Sequence, residues 1–92
     1  MVSKTIVVHT PNGLQLRPAG ELAEYALRFR SSILLSSGDK EISAKSLLGV
    51  LSLGIRQNTE IRITCDGIDE DEAICGIADF IDHLGNVSAN DA

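Results

Sequence analysis

Thr59-Glu60-Ile61-Arg62-Ile63-Thr64-Cys65 alternates without a break. Side chains of an extended chain point to opposite faces in turn. Ile61, Ile63 and Cys65 therefore share one face, and Glu60, Arg62 and Thr64 the other. This is the pattern of a strand buried on one side only. Four residues later the period changes. Asp69 stands where a helix cap should stand, with Glu72 three residues on in capping-box spacing. Ile74, Ile77, Ile81 and Leu84 then recur at three- and four-residue steps, one apolar stripe of a helix. Gly85 is the expected stop. Residues 86–92 read as a polar, frayed tail.

Working back toward the N-terminus, Leu47-Leu48-Gly49-Val50-Leu51 is long enough for a short helix, closed by Gly54 and Arg56-Gln57-Asn58. Before it, Ser32–Ser36 and Glu41–Ala44 read as two short strands about a Ser37-Gly38-Asp39 turn. From Pro18 the spacing is helical, with Ala19, Leu22, Ala23, Ala26 and Phe29 on one face and the proline tolerated in the first turn. Lys4–Thr10 is β-branched and apolar, and Pro11-Asn12-Gly13 breaks it. The order is β-α-β-β-α-β-α. It predicts an α+β fold, a four-stranded antiparallel sheet covered on one face by three helices. Residues 1–85 form its single domain, with no internal repeat and no linker.

Ninety-two residues leave no room for a second core. The chain is 43% hydrophobic and has no tryptophan, so aliphatic side chains must build the interior. A net charge of −5 argues against direct nucleic-acid binding, which draws its affinity from lysine and arginine on phosphates. The first residues, Met-Val-Ser-Lys-Thr, lack the apolar run of a signal peptide, and no stretch has the length of a membrane span. A cytoplasmic location is expected. Cys65 and Cys75 then read as reduced core thiols.

Two segments carry chemistry. Gly13-Leu14-Gln15-Leu16-Arg17-Pro18-Ala19 spans a turn and a helix start, where unpaired N–H groups and the dipole favour an anion and Arg17 adds a positive charge. The same residues also fit a turn glycine followed by a solvated arginine. In Ala44-Lys45-Ser46-Leu47-Leu48-Gly49-Val50, Ser46 occupies an N-cap position. A phosphate there would meet helix N–H groups, and a plain structural cap fits the spacing equally well.

Together the segments resemble the two motifs of the HPr family, the phosphocarriers of the sugar phosphotransferase system. The first is similar to that family's G-[IL]-H-A-R-P-A active-site motif. The stretch Lys45–Gly54 (KSLLGVLSLG) is similar to its regulatory-serine segment, and the resemblance runs over about residues 2 to 85. Two positions depart from it. Gln15 stands at the phosphoacceptor histidine, and Leu16 replaces the usual alanine. An amide nitrogen, its lone pair delocalised, cannot attack a phosphoryl donor as an imidazole does. His9 in the first strand and His83 in the last turn of the final helix lie outside that site.

Glutamine at this position with a retained serine resembles the catabolite-repression branch of the family. The resemblance implies phosphorylation of Ser46 by HPr kinase/phosphorylase and docking of the phosphoserine form on a LacI-type catabolite control protein. Leu47, Leu48 and Leu51 would then form an apolar contact patch, with Arg17 beside it as a polar contact. No catalytic residue and no cofactor or metal is implied. Two other readings share the motifs: a phosphotransferase component using another acceptor, and a drifted paralogue that binds another enzyme without Ser46 modification. The sequence leaves the oligomeric state open.

Overall fold

The computed structural model describes residues 1–91, with side chains placed through Leu84. Its elements are β1 (Val2–Val8), α1 (Leu16–Ala26), β2 (Ser32–Ser37), β3 (Lys40–Ser43), α2 (Leu47–Ser52), β4 (Thr59–Asp66) and α3 (Glu70–Asp91). The strands form one antiparallel sheet in the order β1-β4-β2-β3. The α+β architecture and the β-α-β-β-α-β-α order agree with the sequence reading.

Alternation decides which face is inside. In β4, Ile61, Ile63 and Cys65 are buried while Glu60 and Arg62 are exposed. Ile33 and Leu35 of β2 sit opposite Cys65 and Ile63 in register, so their side chains share that inner face. Leu22 and Ala26 of α1, Val50 of α2, and Ala73, Ile77 and Ile81 of α3 complete one continuous aliphatic core. Removing a branched side chain from its centre, as in Leu35→Ala, costs about 2–5 kcal/mol.

The element boundaries depart from the sequence reading in instructive places. β1 begins at Val2 and ends at Val8, two residues earlier than expected at each end, because Val2 to Val8 pair continuously with Cys65 to Thr59. The N-terminus is therefore held: the Met1 ammonium lies 2.9 Å from Glu70 Oε2 and 3.6 Å from Asp66 Oδ1. His9 falls just after the strand, not within it, and is exposed. α1 opens at Leu16, not Pro18, which makes Gln15 its N-cap. Phe29 lies beyond its end at Ala26.

α3 continues past Gly85 to Asp91, so that glycine does not end it and His83 is not in its last turn. A glycine inside a helix costs about 1 kcal/mol relative to alanine and does not forbid the helix. The polar tail read from Asn86 onward lies outside the residues whose side chains are described. Asp69 stands at the expected cap position, its carbonyl accepting from Ala73 N–H at 2.9 Å, but its side chain is engaged elsewhere. Its carboxylate accepts from the backbone N–H of Arg30 (2.9 Å), the N–H of Ser31 (2.8 Å) and the Ser31 hydroxyl, and so ties the start of β2 to the start of α3. The reciprocal bonding expected of Asp69 and Glu72 is made instead by Gly67 and Glu70. Glu70 N–H donates to the Gly67 carbonyl (3.3 Å), and Gly67 N–H donates to Glu70 Oε1 (3.1 Å).

Both cysteines are free thiols, but only Cys65 is in the core; Cys75 is exposed on α3. Burial pushes the Cys65 thiol up from its ordinary value, with the Glu70 and Asp69 carboxylates adding to the shift.

Candidate functional site

The first segment is built by a glycine. Gly13 has φ +68°, and a Cβ there would lie 2.1 Å from the Ile55 carbonyl oxygen and 2.6 Å from Arg56 Cα. Only glycine permits that backbone shape and that approach together. The turn closes with Gly13 N–H donating to Thr10 O (2.8 Å), and Leu14 N–H donates to Ile55 O (3.1 Å). The loop ahead of α1 is thus fastened to the loop after α2.

Gln15 follows immediately in an extended conformation (φ −86°, ψ −172°) as the N-cap of α1, and its carbonyl accepts from Ala19 N–H at 2.9 Å. Its side chain makes no capping bond and is exposed. The residue at the head of the helix is therefore presented to solvent beside N–H groups that have no intrahelical partner. Arg17 stands in the first turn of α1, with a side chain 91% exposed and Nε 3.4 Å from Glu21 Oε1. An ion pair that open to water contributes little, so the guanidinium is free to exchange Glu21 for another anion.

The second segment is a capped short helix. Ser46 is extended (φ −106°, ψ 114°), exposed, and its Oγ accepts from Gly49 N–H at 3.1 Å. The N-cap geometry read from the sequence is present. Lys45 precedes it, but its Nζ is held by the Phe29 carbonyl at 2.8 Å, and Lys40 Nζ is held by Ser52 O at 2.9 Å. Each ammonium thus sits on a backbone carbonyl near the end of a helix, where the dipole favours a cation. Neither points its charge at Ser46.

The leucines divide. Leu48 is 78% exposed, whereas Leu47 and Leu51 are half-buried and pack on the core. Leu47 reaches α1 at Gly20, whose added Cβ would lie 3.9 Å from Leu47 Cδ1. Leu16, noted in the sequence only as a departure from the motif, is 65% exposed beside Gln15. Exposed leucines of this kind carry no sequence signal, because a leucine in a helical window reads as core. The Arg17–Glu21 pair was legible as an i,i+4 spacing of opposite charges. The Gly13–Ile55 approach had no such signal.

Among the described residues no cluster of three or more His, Cys, Asp or Glu could hold a metal ion, and no helix is long and apolar enough to cross a membrane. What the arrangement offers is two exposed helix starts, one headed by an amide and one by a hydroxyl, on helices that pack together. An amide cannot carry a phosphoryl group; a hydroxyl can accept one from a kinase.

Residues 2–83 match the family model described as the PTS HPr component phosphorylation site. The chain is 36% identical over 81 residues to the HPr-like protein Crh of Bacillus subtilis (strain 168), an alignment covering 88% of this chain and 95% of that protein. It is 42% identical over 84 residues to the phosphocarrier protein HPr of Buchnera aphidicola, covering 91% and 99%. The crystal structure of HPr-C-His from Thermoanaerobacter tengcongensis superposes with a TM-score of 0.88 at 34% identity, covering 94% of this chain and 97% of that one.

Proposed function

The chain belongs to the HPr family, and from that membership we propose that it is a regulatory, non-catalytic member switched by a phosphate on Ser46. The observation that carries the reading is Gln15. It heads α1 with a free side chain at the position where the family motif has its phosphoacceptor histidine, and an amide has no nucleophilic nitrogen.

In this reading HPr kinase/phosphorylase phosphorylates Ser46, which is exposed at the head of α2. The phosphate adds about −1.5 to −2 charges beside the Gly49 N–H that the hydroxyl oxygen already engages. Lys45 and Lys40 are both occupied by carbonyls, so the new charge stays available to a partner's arginines. The phosphoserine form then acts as corepressor of a LacI-type catabolite control protein. Leu48 supplies the exposed apolar contact, and Arg17 a cation whose one ion pair among the described residues is exposed. Leu47 and Leu51 support the patch from below. The likeness to Crh favours this role, and the likeness to a phosphocarrier HPr favours the alternative, transfer from phosphoenolpyruvate by another acceptor.

One experiment separates them: intact mass after incubation with HPr kinase and ATP, and separately with phosphoenolpyruvate and the phosphotransferase enzymes. The expected result is one acid-stable phosphate from ATP, absent in Ser46→Ala, and none from phosphoenolpyruvate. An acid-labile phosphate from phosphoenolpyruvate would establish the carrier reading. No modification in either reaction would leave a paralogue that binds its partner without a switch.

A further inference from the structure

The chain has three aromatic residues, Tyr25, Phe29 and Phe80, and none of them is in the buried core. All three gather on one half-buried face where α1 meets α3. The Tyr25 and Phe80 rings stack with centroids 5.0 Å apart, and Phe29 meets Tyr25 edge-on at 5.4 Å. Gly76 seats the cluster: a Cβ there would lie 2.6 Å from the Tyr25 hydroxyl and 3.1 Å from Phe29 Cζ. The buried core is aliphatic apart from Cys65, and the rings pack against its outside, each only partly buried. Aromatic side chains collected at a surface are characteristic of binding faces, where they give large contact area at small entropic cost.

Two shallow grooves flank the Tyr25–Phe80 stack. One, of 230 Å³, is lined by Glu21, Glu24 and Arg28 besides the rings. The other, of 350 Å³, is lined by Gly76, Asp79 and His83. Glu24 and Asp79 have no ion pair among the described residues. The guanidinium of Arg28 already lies over the Tyr25 ring, 5.6 Å from its centroid, which shows that the cluster holds a planar cation and leaves Phe80 as the ring a second one can reach without displacing Arg28. A second copy of this chain would bring the same carboxylates to the contact, and in a self-complementary arrangement they would repel.

We propose that this α1–α3 face is a docking surface for an arginine-bearing segment of a partner protein, with a guanidinium group stacking on Phe80, or displacing Arg28 from Tyr25, and pairing with Glu24 and Asp79. Neither groove includes Gln15, Arg17, Ser46 or Leu48. Glu21, the exposed ion-pair partner of Arg17, is the one lining residue that touches that site, and the residues of the proposed contact, Phe80, Glu24 and Asp79, do not depend on Ser46 phosphorylation.

The test uses the ¹⁵N-labelled full chain titrated with a capped hexapeptide alternating arginine and leucine, and with its counterpart carrying citrulline for arginine. Saturable amide shifts are expected at Tyr25, Arg28, Gly76, Asp79 and Phe80, with the citrulline peptide at least tenfold weaker. Phe80→Ala, and separately Glu24→Lys with Asp79→Lys, should each weaken the arginine peptide at least fivefold. The two lysine changes are on exposed positions and keep the test valid if Phe80→Ala unfolds the chain. Any of three outcomes overturns the proposal: no saturable shifts, equal binding of the two peptides, or shifts centred on Asp71 and Glu72, which are acidic but have no aromatic neighbour in either groove.

Discussion

Replacing Gly13 and Gly54 by alanine, one at a time, separates what the site loop owes to backbone conformation from what it owes to contact. Both residues have positive φ, +68° and +61°, where a side chain costs about 1–2 kcal/mol. At Gly54 an added Cβ meets nothing within 4 Å, so Gly54→Ala should lose that amount and no more. At Gly13 the same Cβ would stand 2.1 Å from the Ile55 carbonyl oxygen, far inside contact distance. The clash is with backbone, so the two loops must part. Parting them breaks the 3.1 Å bond from Leu14 N–H to Ile55 O, and a buried polar group left unpaired costs about 1–3 kcal/mol more. Gly13→Ala should therefore lose about 2–5 kcal/mol in all, a large share of the stability of a small domain. Urea unfolding followed by circular dichroism gives both values on one scale. Equal losses in the two variants, within about 0.5 kcal/mol, would refute the view that Gly13 fastens the head of α1 to the loop after α2.

Three further outcomes are expected. Ser46→Ala should cost about 1 kcal/mol by removing the cap on Gly49 N–H, and Ser46→Asp should recover most of it; both are read by urea midpoint. Asp69 should make stability fall in acid. The Ser31 hydroxyl first, and then the Arg30 N–H, hold its carboxyl down from 3.8 to about 2. Its contribution is complete above the unfolded value and is lost as pH drops from about 4 through about 2. The unfolding midpoint of Asp69→Asn should lie below that of the parent at neutral pH and change less over that range. Finally, a thiol reagent should label one cysteine in the native protein, mapped to Cys75 by peptide mass, and Cys65 only in denaturant. Rapid labelling of both would show that β4 opens readily.

Periodic positions were legible in the sequence because burial acts on every turn or every second residue. Ile61, Ile63 and Cys65, the Ile77–Ile81 stripe and the Ser46 cap all lie where their spacing puts them. Boundaries were less so. Val2 and Ser3 fall outside the strand read over Lys4–Thr10 because the partner that extends β1, the strand from Thr59 to Asp66, is remote in the chain. Asp69 resembled a cap by position alone, yet Arg30 and Ser31 compete for the same oxygens from another element. At the site, Gln15 and Arg17 were visible as a motif, whereas the exposure of Leu48 and the partial burial of Leu47 and Leu51 depend on how α2 lies against α1 and the sheet. Cys75 shows the same limit: a helical cysteine reads as core until the helix is rotated into place.

The sheet order has a consequence for synthesis. β1 is made before the other strands, and its one neighbour is β4, with β2 and β3 on the far side. The ammonium of Met1 meets Glu70 across a sequence separation of 69 residues. A growing chain therefore carries β1 unpaired through translation of α1, β2, β3 and α2, and pairing Val8 with Thr59 closes a loop over residues 9–58. The β2–β3 hairpin can form on the ribosome, but β1 cannot dock until β4 has cleared the exit tunnel. The β3 edge of the sheet can thus be native early, while the β1 edge stays open until β4 arrives, and in that interval β1 is an unpaired strand exposed to chaperones and to aggregation.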